Sequence, residues 1–339
     1  MTGLFLFALL SSFALTPLAR RYAISSGLVD LPDARRVHQQ PVARGGGIAM
    51  IVVFLLAVAL APWVPGMQGH LQLPGMAGAF IALLAGLGFW DDHQSIPSRW
   101  RALVQVLATL ALLWSVKGSL PMDSSTLWLV LPATVIVVWW INLFNFMDGS
   151  DGVAGVQTLF MGAGVGLLSF QSAGSLSALG PAGICGFLSA AVALGFLPWN
   201  FPNARVFMGD VGSYGLASIL AVTAILGLAD GTLSFFAVML LPAVFVVDAS
   251  ATLISRIARG QRWYDGHREH LYQRLAMGRA GSTGVVLGLA VVNALFIWPA
   301  LSLLREKPEY SHMIVISVYL ILILCWWLGG RQLDRGQAR

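Results

Sequence analysis

The chain has 339 residues, of which 57% are hydrophobic and only 10% are charged, and its formal net charge is +5. Soluble domains carry about 25% charged residues, so this composition excludes an ordinary soluble enzyme. It also excludes a disordered chain, because disorder requires low hydrophobicity and high charge. The mean hydropathy of +0.78 indicates a protein with several helices in a membrane.

Eleven apolar stretches predict an all-α integral membrane protein that forms a single domain over residues 1–339. A membrane-spanning helix needs about 20 apolar residues, and the stretches run over 2–19, 45–64, 75–90, 101–116, 125–144, 152–170, 178–197, 212–229, 232–255, 282–304 and 311–329. A membrane β-barrel would instead show segments of about ten residues with alternating polarity. Arg20 and Arg21 follow the first stretch, so we expect a retained helix and not a cleaved signal peptide.

The distribution of charge predicts which side of the membrane each loop faces. With the N-terminus outside, 17 of the 20 Lys and Arg residues lie on inner segments, as the positive-inside rule requires. Ten of the 15 Asp and Glu residues lie on the same side. We therefore expect a multi-pass membrane protein with its N-terminus outside, its C-terminus inside and a cytoplasmic active face. Topology accounts for the net charge, so no nucleic-acid partner is expected.

Two motifs on the inner face suit phosphate and metal chemistry. The first contains Arg35, Arg36 and Arg44, followed by three glycines whose N–H groups could cradle an anion at a helix start. A topological anchor with a flexible helix entry is the alternative. The second motif is the Asp91-Asp92 pair at the inner end of the third stretch. Adjacent carboxylates repel each other and favour a hard cation such as Mg²⁺, although a solvated helix end is the alternative here.

A third motif runs from Asn142 to Gly152. If Asn142 and Asn145 finish a helix, their spacing of three places them on one face. Asp148 and Asp151 each stand before a glycine, which predicts a tight acidic turn. A plain turn needs only one Asp-Gly pair. These side chains are therefore candidates for binding a base or ribose, or for supporting a metal.

Two further carboxylates occupy contrasting positions. Asp210 precedes the eighth stretch and is a candidate third carboxylate for a metal held between the inner loops, or a simple N-cap. Gly209 and Gly212 beside it would let the backbone approach a ligand closely. Asp248 lies inside the ninth stretch, where a carboxylate is a functional suspect by default. A catalytic cavity and a helix-packing role are both open for Asp248.

The longest inner loop carries a concentration of basic side chains. His267 and His270 are three residues apart and face alike if the loop is helical. With Arg268 and Arg274 they predict a cationic surface suited to a diphosphate. Two histidines provide too few ligands for a zinc site.

Taken in this order, the motifs resemble those of the polyprenyl-phosphate N-acetylhexosamine-1-phosphate transferases, the group that contains WecA, TagO and MraY. The resemblance covers residues 30–275, and the run His-Arg-Glu-His-Leu-Tyr-Gln at 267–273 is most similar to the O-antigen-initiating members of the WbpL type. The implied reaction joins undecaprenyl phosphate and a UDP-N-acetyl-aminosugar to give undecaprenyl-diphosphate-sugar and UMP. UDP-GlcNAc, or a 6-deoxy analogue such as UDP-FucNAc or UDP-QuiNAc, would be the donor. The pathway would be the assembly of lipopolysaccharide O-antigen.

The resemblance also implies residue roles. Asp91 would orient or deprotonate the lipid phosphate, Asp92 would support the site, and Asp210 would act with them as the third catalytic residue. The cofactor would be Mg²⁺, with Mn²⁺ as a substitute, and its ligands would be Asp210 and Asp151. The substrate-binding residues would be Arg44, Asn142, Asn145, Asp148, Asp151, His267, Arg268 and His270. The resemblance also implies a multi-pass protein of the bacterial inner membrane with a periplasmic N-terminus and a cytoplasmic C-terminus. The lipid bilayer is an expected partner, and a homodimer is compatible with the sequence.

Two other classes of membrane protein are alternatives to a transferase. A transporter or flippase of a lipid-linked sugar would place polar residues deep within several spans, and among the charged residues only Asp248 lies so deep. An inactive scaffold of the same family would tolerate loss of the acidic pairs, and none is missing. The transferase is therefore the favoured prediction.

Overall fold

A computed structural model of the chain describes residues 1–30, 41–65, 67, 71, 73, 75–116, 127–262 and 267–337. Arg35 and Arg36 of the first motif lie outside the described residues. The α-helices of the described part are α1 (Thr2–Ser25), α2 (Ile48–Leu60), α3 (Gly75–His93), α4 (Ser98–Val116), α5 (Val130–Phe146), α6 (Val153–Ala173), α7 (Pro181–Asn200), α8 (Gly209–Ala229), α9 (Phe235–Leu240), α10 (Ala243–Ala258), α11 (Leu271–Met277), α12 (Gly281–Val292), α13 (Trp298–Glu306) and α14 (Ser311–Gln337). A π-helical turn at Asn293–Ile297 joins α12 to α13.

Each of the eleven predicted stretches contains helix, and the prediction of a helical multi-pass membrane protein is confirmed at that level. In the described part of the chain, six segments are long and apolar enough to cross a membrane by themselves: Thr2–Ser25, Val153–Ala173, Pro181–Asn200, Gly209–Ala229, Gly281–Glu306 and Pro308–Arg335. Helices α2 and α5 are apolar but shorter. The total of eleven spans and their orientation stay predictions.

The outer surface of the bundle is apolar, as a lipid-facing surface must be. Leu131, Val135 and Ile136 on α5 are each more than 60% exposed. The core lies between the helices and is formed largely by α6, α7 and α8. Such exposure would be costly in water, and it is expected in a hydrocarbon solvent.

A small three-stranded sheet lies at one end of the bundle and is a feature that the sequence prediction did not include. Strand β1 (Val29–Asp30) pairs antiparallel with β2 (Val42–Arg44), and β2 pairs parallel with β3 (Val206–Phe207). Strands of two or three residues are too short to show an alternating pattern. The sheet places the segment after α1 beside the segment before α8.

Glycines allow α2 and α3 to approach the start of α8 at backbone distance. A Cβ added to Gly47 would lie 2.3 Å from the Cα of Gly212, and a Cβ added to Gly88 would lie 2.2 Å from the carbonyl oxygen of Asp210. The close approach predicted for a ligand at Gly212 is therefore made by another helix. Gly209, at φ +74°, has Gly45 and Asp92 as its nearest neighbours. The expectation that these glycines make room for a ligand is wrong.

Candidate active site

Arg44 bridges two carboxylates that come from distant parts of the chain. Its Nε lies 2.8 Å from Oδ1 of Asp92, and its Nη2 lies 2.9 Å from Oδ1 of Asp210. Arg44 lies on strand β2, Asp92 lies at the end of α3, and Asp210 lies in the first turn of α8. About a third of the Arg44 side chain remains exposed, so the guanidinium can also reach an anion from solution.

The side chain of Asp92 caps helix α8 from outside. Its Oδ1 accepts the N–H of Asp210 at 2.9 Å, and its Oδ2 accepts the N–H of Val211 at 3.0 Å. These N–H groups belong to the first turn of α8, where backbone donors have no partner within the helix. The preceding residue, Met208, provides no side-chain cap. Asp92 therefore fixes the start of α8, and its predicted supporting role in the reaction stays a prediction.

The glycines after Arg44 do not form the anion cradle that the sequence suggested. The N–H groups of Gly45 and Gly46 donate to the carbonyl oxygen of Phe207, and the N–H of Gly47 donates to that of Met208. All three donors are used to join the β2 segment to the β3 segment. The cradle hypothesis is wrong, and these glycines instead position Arg44.

Asp91 has partners different from those of its neighbour Asp92. Its Oδ1 accepts the N–H of Ile96 at 2.7 Å, and its Oδ2 pairs with Nη1 of Arg101 at 2.6 Å. The same Arg101 nitrogen donates to the hydroxyl of Tyr214 at 3.3 Å. Both Asp91 oxygens are thus engaged in holding the α3–α4 connection. Its predicted contact with the lipid phosphate stays a prediction, and these contacts favour a structural role.

Asn145 and the acidic turn complete the cluster around Asp210. Nδ2 of Asn145 donates to Oδ1 of Asp210 at 3.0 Å and to the hydroxyl of Ser213 at 2.9 Å. Loss of solvation raises the pKa of Asp148 well above its usual range, and the negative charge of Asp210 raises it further. Asp151 accepts the N–H of Ala204 through Oδ2 at 3.0 Å. A bound cation would favour the ionised form of Asp148.

Asn142 is not brought into this cluster. Helix α5 does end at Phe146, so both asparagines lie in its last turns as predicted. However, Nδ2 of Asn142 donates to Oε1 of Gln105 at 2.7 Å and to the carbonyl oxygen of Val138 at 2.8 Å. These bonds join α5 to α4. Its predicted contact with the nucleotide stays untested.

The loop with the two histidines is less cationic than predicted. Loss of solvation on burial lowers the pKa of His267 to about 4 and lowers the pKa of His270 to about 4 as well. Both rings are therefore neutral at pH 7. Arg274 pairs with Asp334 at the end of α14. Residues 267–270 are not helical, yet the centroids of the two rings are only 4.7 Å apart. The predicted cationic surface is reduced, because both imidazoles are neutral and Arg274 is paired.

Asp248 holds this loop in place. Its Oδ1 accepts the N–H of Leu271 at 2.8 Å, and its Oδ2 accepts the N–H of Tyr272 at 2.9 Å. The indole Nε1 of Trp326 donates to Oδ1 at 3.2 Å. Of the two roles that the sequence left open, these contacts support the packing role. Nδ1 of His270 lies 4.0 Å from the same carboxylate.

The predicted magnesium site would need substrate groups to complete it. Within the described ranges, no group of three His, Cys, Asp or Glu side chains could hold a metal ion by itself. Magnesium is commonly bound by one or two carboxylates, with substrate phosphates and water in the other positions. Asp210 lies close enough to Asp148 to shift its pKa. This pair of hard oxygen donors is compatible with such a site.

Several contributors to the site were not singled out from the sequence. Ser213, which accepts from Asn145, and Arg101, which pairs with Asp91, are two of them. The hydroxyl partners of Tyr272 could not be predicted from the sequence, because they belong to the distant turn at 146–149. Gln105, which receives Asn142, lies in an apolar stretch and could have been noticed as a buried polar residue.

Comparison with known proteins identifies the family. Residues 75–228 match glycosyl transferase family 4. The decaprenyl-phosphate N-acetylglucosaminephosphotransferase of Mycolicibacterium smegmatis is 31% identical over 89% of this chain and 88% of its own length. A probable undecaprenyl-phosphate N-acetylglucosaminyl 1-phosphate transferase of Bacillus subtilis is 27% identical over 94% of this chain and 88% of its own.

A third relative is the undecaprenyl-phosphate alpha-N-acetylglucosaminyl 1-phosphate transferase of Yersinia pestis, which is 26% identical over 95% of this chain and 89% of its own length. The particular similarity to WbpL-type members stays a prediction. The acidic cluster and the length of these matches agree with the resemblance read from the motifs. The chain belongs to glycosyl transferase family 4 and is a membrane phosphoglycosyltransferase.

Proposed function

We propose that this enzyme transfers an N-acetyl-aminosugar 1-phosphate from a UDP donor to undecaprenyl phosphate. The products are undecaprenyl-diphosphate-sugar and UMP. The observation that carries the proposal is the bridge of Arg44 between Asp92 and Asp210, with Asn145 on the same Asp210 oxygen. Similar proteins are named for the transfer of N-acetylglucosamine phosphate to a polyprenyl phosphate, which supports UDP-GlcNAc as the donor.

In the proposed reaction an oxygen of the lipid phosphate attacks the phosphorus that carries the sugar. The bond from that phosphorus to the bridging oxygen breaks, and its electron pair leaves with UMP. A phosphate monoester has a second pKa of about 6, so the acceptor is largely dianionic at pH 7 and needs no strong protein base. Catalysis then depends on positioning and on charge neutralisation.

The chain's own residues supply both requirements. The guanidinium of Arg44 is placed to bind an oxygen of the donor diphosphate, and Asp92 keeps Arg44 and α8 in register. Asp210 and Asp148 would hold Mg²⁺, with Asp151 as a further predicted ligand and Mn²⁺ as a substitute. When bound, this ion would neutralise the charge that develops on the diphosphate.

The half-exposed His267 and Arg268 are placed to contact the sugar or the diphosphate. His270 is 3% exposed and supports His267 from beneath. Because the histidine rings are neutral at pH 7, they can both donate and accept hydrogen bonds, which suits sugar hydroxyl and amide groups. The run at 267–273 keeps UDP-FucNAc and UDP-QuiNAc as alternative donors, and O-antigen initiation as the pathway.

We further propose eleven spans, with the N-terminus in the periplasm and the active face in the cytoplasm of the inner membrane. The excess of Arg and Lys on the inner segments supports this orientation. The site residues come from alternate connections along the chain, and such connections share one face of a membrane bundle. A reporter fused after residue 339 should be active only as a cytoplasmic fusion.

The test is UMP release from purified protein with undecaprenyl phosphate and UDP-GlcNAc, UDP-FucNAc or UDP-QuiNAc, each with Mg²⁺, Mn²⁺ or EDTA. We expect metal-dependent UMP from at least one donor, and the ranking of donors names the sugar. Asp334→Asn is a matched control, because it changes a carboxylate that is 67% exposed and pairs with Arg274. Folded protein that releases no UMP from any donor would overturn the proposal and revive the lipid-linked sugar transporter.

A further inference from the structure

The hydroxyl of Tyr272 joins two backbone groups on either side of Asp148. It donates to the carbonyl oxygen of Phe146 at 2.8 Å and accepts the N–H of Gly149 at 2.9 Å. Tyr272 is only 5% exposed, so water does not readily replace either bond. One side-chain oxygen therefore fixes both ends of the short segment that carries the Asp148 carboxyl.

Tyr272 is itself held firmly at the start of α11. Its backbone N–H donates to Oδ2 of Asp248, and the N–H of Leu271 donates to Oδ1 of the same carboxylate. Trp326 on α14 donates to Asp248 as well. A continuous series of hydrogen bonds thus runs from α10 and α14 through α11 to the acidic turn.

Gly149 leaves no space between the turn and α11. A Cβ added to Gly149 would lie 2.5 Å from the hydroxyl oxygen of Tyr272 and 2.7 Å from Nε2 of Gln273. The turn is therefore in direct contact with α11, and any side chain at position 149 would push the two apart. The same α11 begins directly after His270, so the histidine loop and the acidic turn share one support.

We propose that Tyr272 is a positioning residue for the donor site. Its hydroxyl holds the 146–149 segment and with it the Asp148 carboxyl, and it couples this turn to the loop that carries His267 and His270. The inference rests on the proposed function, in which Asp148 serves the UDP-sugar side of the reaction. It assigns Tyr272 no contact with substrate.

Tyr272→Phe removes the hydroxyl and little else. We expect the KM for the UDP-sugar to rise about tenfold, because two buried backbone groups lose their partner and the turn relaxes. The affinity for UDP-GlcNAc measured by calorimetry should fall by the same factor. The KM for undecaprenyl phosphate should stay unchanged, which a general loss of folding would not produce.

Tyr319→Phe is the matched control. Its hydroxyl donates to the carbonyl oxygen of Met239 at 2.9 Å, and this bond joins α14 to α9 away from the acidic turn. The control should lower the melting temperature by less than Tyr272→Phe does, because one hydrogen bond is lost and not two, while the donor constants stay at wild-type values. A donor KM that rises equally in both variants would overturn the positioning role.

A double-mutant cycle with Gly149→Ala tests the contact itself. The alanine Cβ clashes with the Tyr272 hydroxyl, so Gly149→Ala should raise the donor KM less in the Tyr272→Phe background than alone, by at least about threefold. If the increases in donor KM from the two substitutions simply multiplied in the double variant, the proposed contact between Gly149 and Tyr272 would be refuted. If Tyr272→Phe does not fold, Gly149→Ala alone must raise the donor KM and spare the acceptor KM. If the wild-type enzyme is active and both variants keep its KM values, this inference is refuted and the proposed function stands. If the wild-type enzyme itself is inactive, the proposed function is refuted.

Discussion

Asp92→Asn is the most informative single change, because it separates a structural carboxylate from a catalytic one. In the wild-type enzyme, one Asp92 oxygen faces Nε of Arg44 and the N–H of Asp210, and the other faces the N–H of Val211. Asparagine has only one acceptor oxygen, and its NH₂ group is a donor. In either orientation the NH₂ group meets a donor at a site that is 1% exposed.

The loss of stability expected for Asp92→Asn follows from these contacts. A buried donor without a partner costs about 1–3 kcal/mol, and removal of a negative charge from a helix N-terminus costs about 0.3–1 kcal/mol. The sum is about 1–4 kcal/mol out of a total free energy of unfolding of about 5–15 kcal/mol. We expect the melting temperature of detergent-solubilised protein to fall by about 5 °C.

Thermal melting of the solubilised enzyme and UMP release are measured on the same preparations. Asp334→Asn loses only an exposed ion pair with Arg274, and its melting temperature should change by no more than about 1 °C. If Asp92→Asn melted like the wild type but released no UMP, the capping argument would be wrong. Asp92 would then act on substrate or metal directly.

Three other outcomes are expected. Asp210→Asn should leave the protein folded but abolish metal-dependent UMP release, and normal activity with normal Mg²⁺ dependence would remove Asp210 from the metal site. Arg268→Ala should raise the KM for the UDP-sugar with little change in melting temperature, whereas a loss of membrane yield alone would mean that the charge serves topology. The contribution of His267 and His270 to the free energy of unfolding should decrease as the pH falls from about 6.5 to about 4, because the folded state keeps both rings neutral with pKa values of about 4 while the unfolded chain binds protons below about 6.5. The raised pKa of Asp148 acts in the opposite direction, so the contribution is measured as the difference in melting temperature between the wild type and a His267→Gln/His270→Gln variant. A difference that does not change over this range would contradict the burial of these rings.

The convergence of the acidic motifs could be predicted from sequence. Helices that cross a membrane in succession bring alternate connections to one face, so Asn145, Asp148 and Asp210 were expected together. The structure places Asn145 against Asp210 and brings Asp148 within electrostatic reach. The chemistry of Asp, Asn and Arg side chains was sufficient for this level of prediction.

The individual partners could not be predicted, because they depend on contacts between distant segments. Asp91 and Asp92 are adjacent on one helix, yet one binds Arg101 and the other binds the start of α8, 118 residues away. The glycines after Arg44 were read as an open anion site because nothing in the sequence shows that Phe207 faces them. The charge of His270 likewise depends on burial that only the packing of α11 reveals.

Because β1 pairs with β2, the position of Arg44 does not depend on the number of residues between the two strands. Val29 lies opposite Ala43, so both ends of the segment 31–40 are held by the sheet at the usual interstrand distance. Doubling the length of a closed loop costs only about 0.6 kcal/mol. Arg44 is anchored separately through its pairing with Phe207. We therefore expect a change in the number of residues between Asp30 and Val42 to leave the guanidinium of Arg44 beside Asp210.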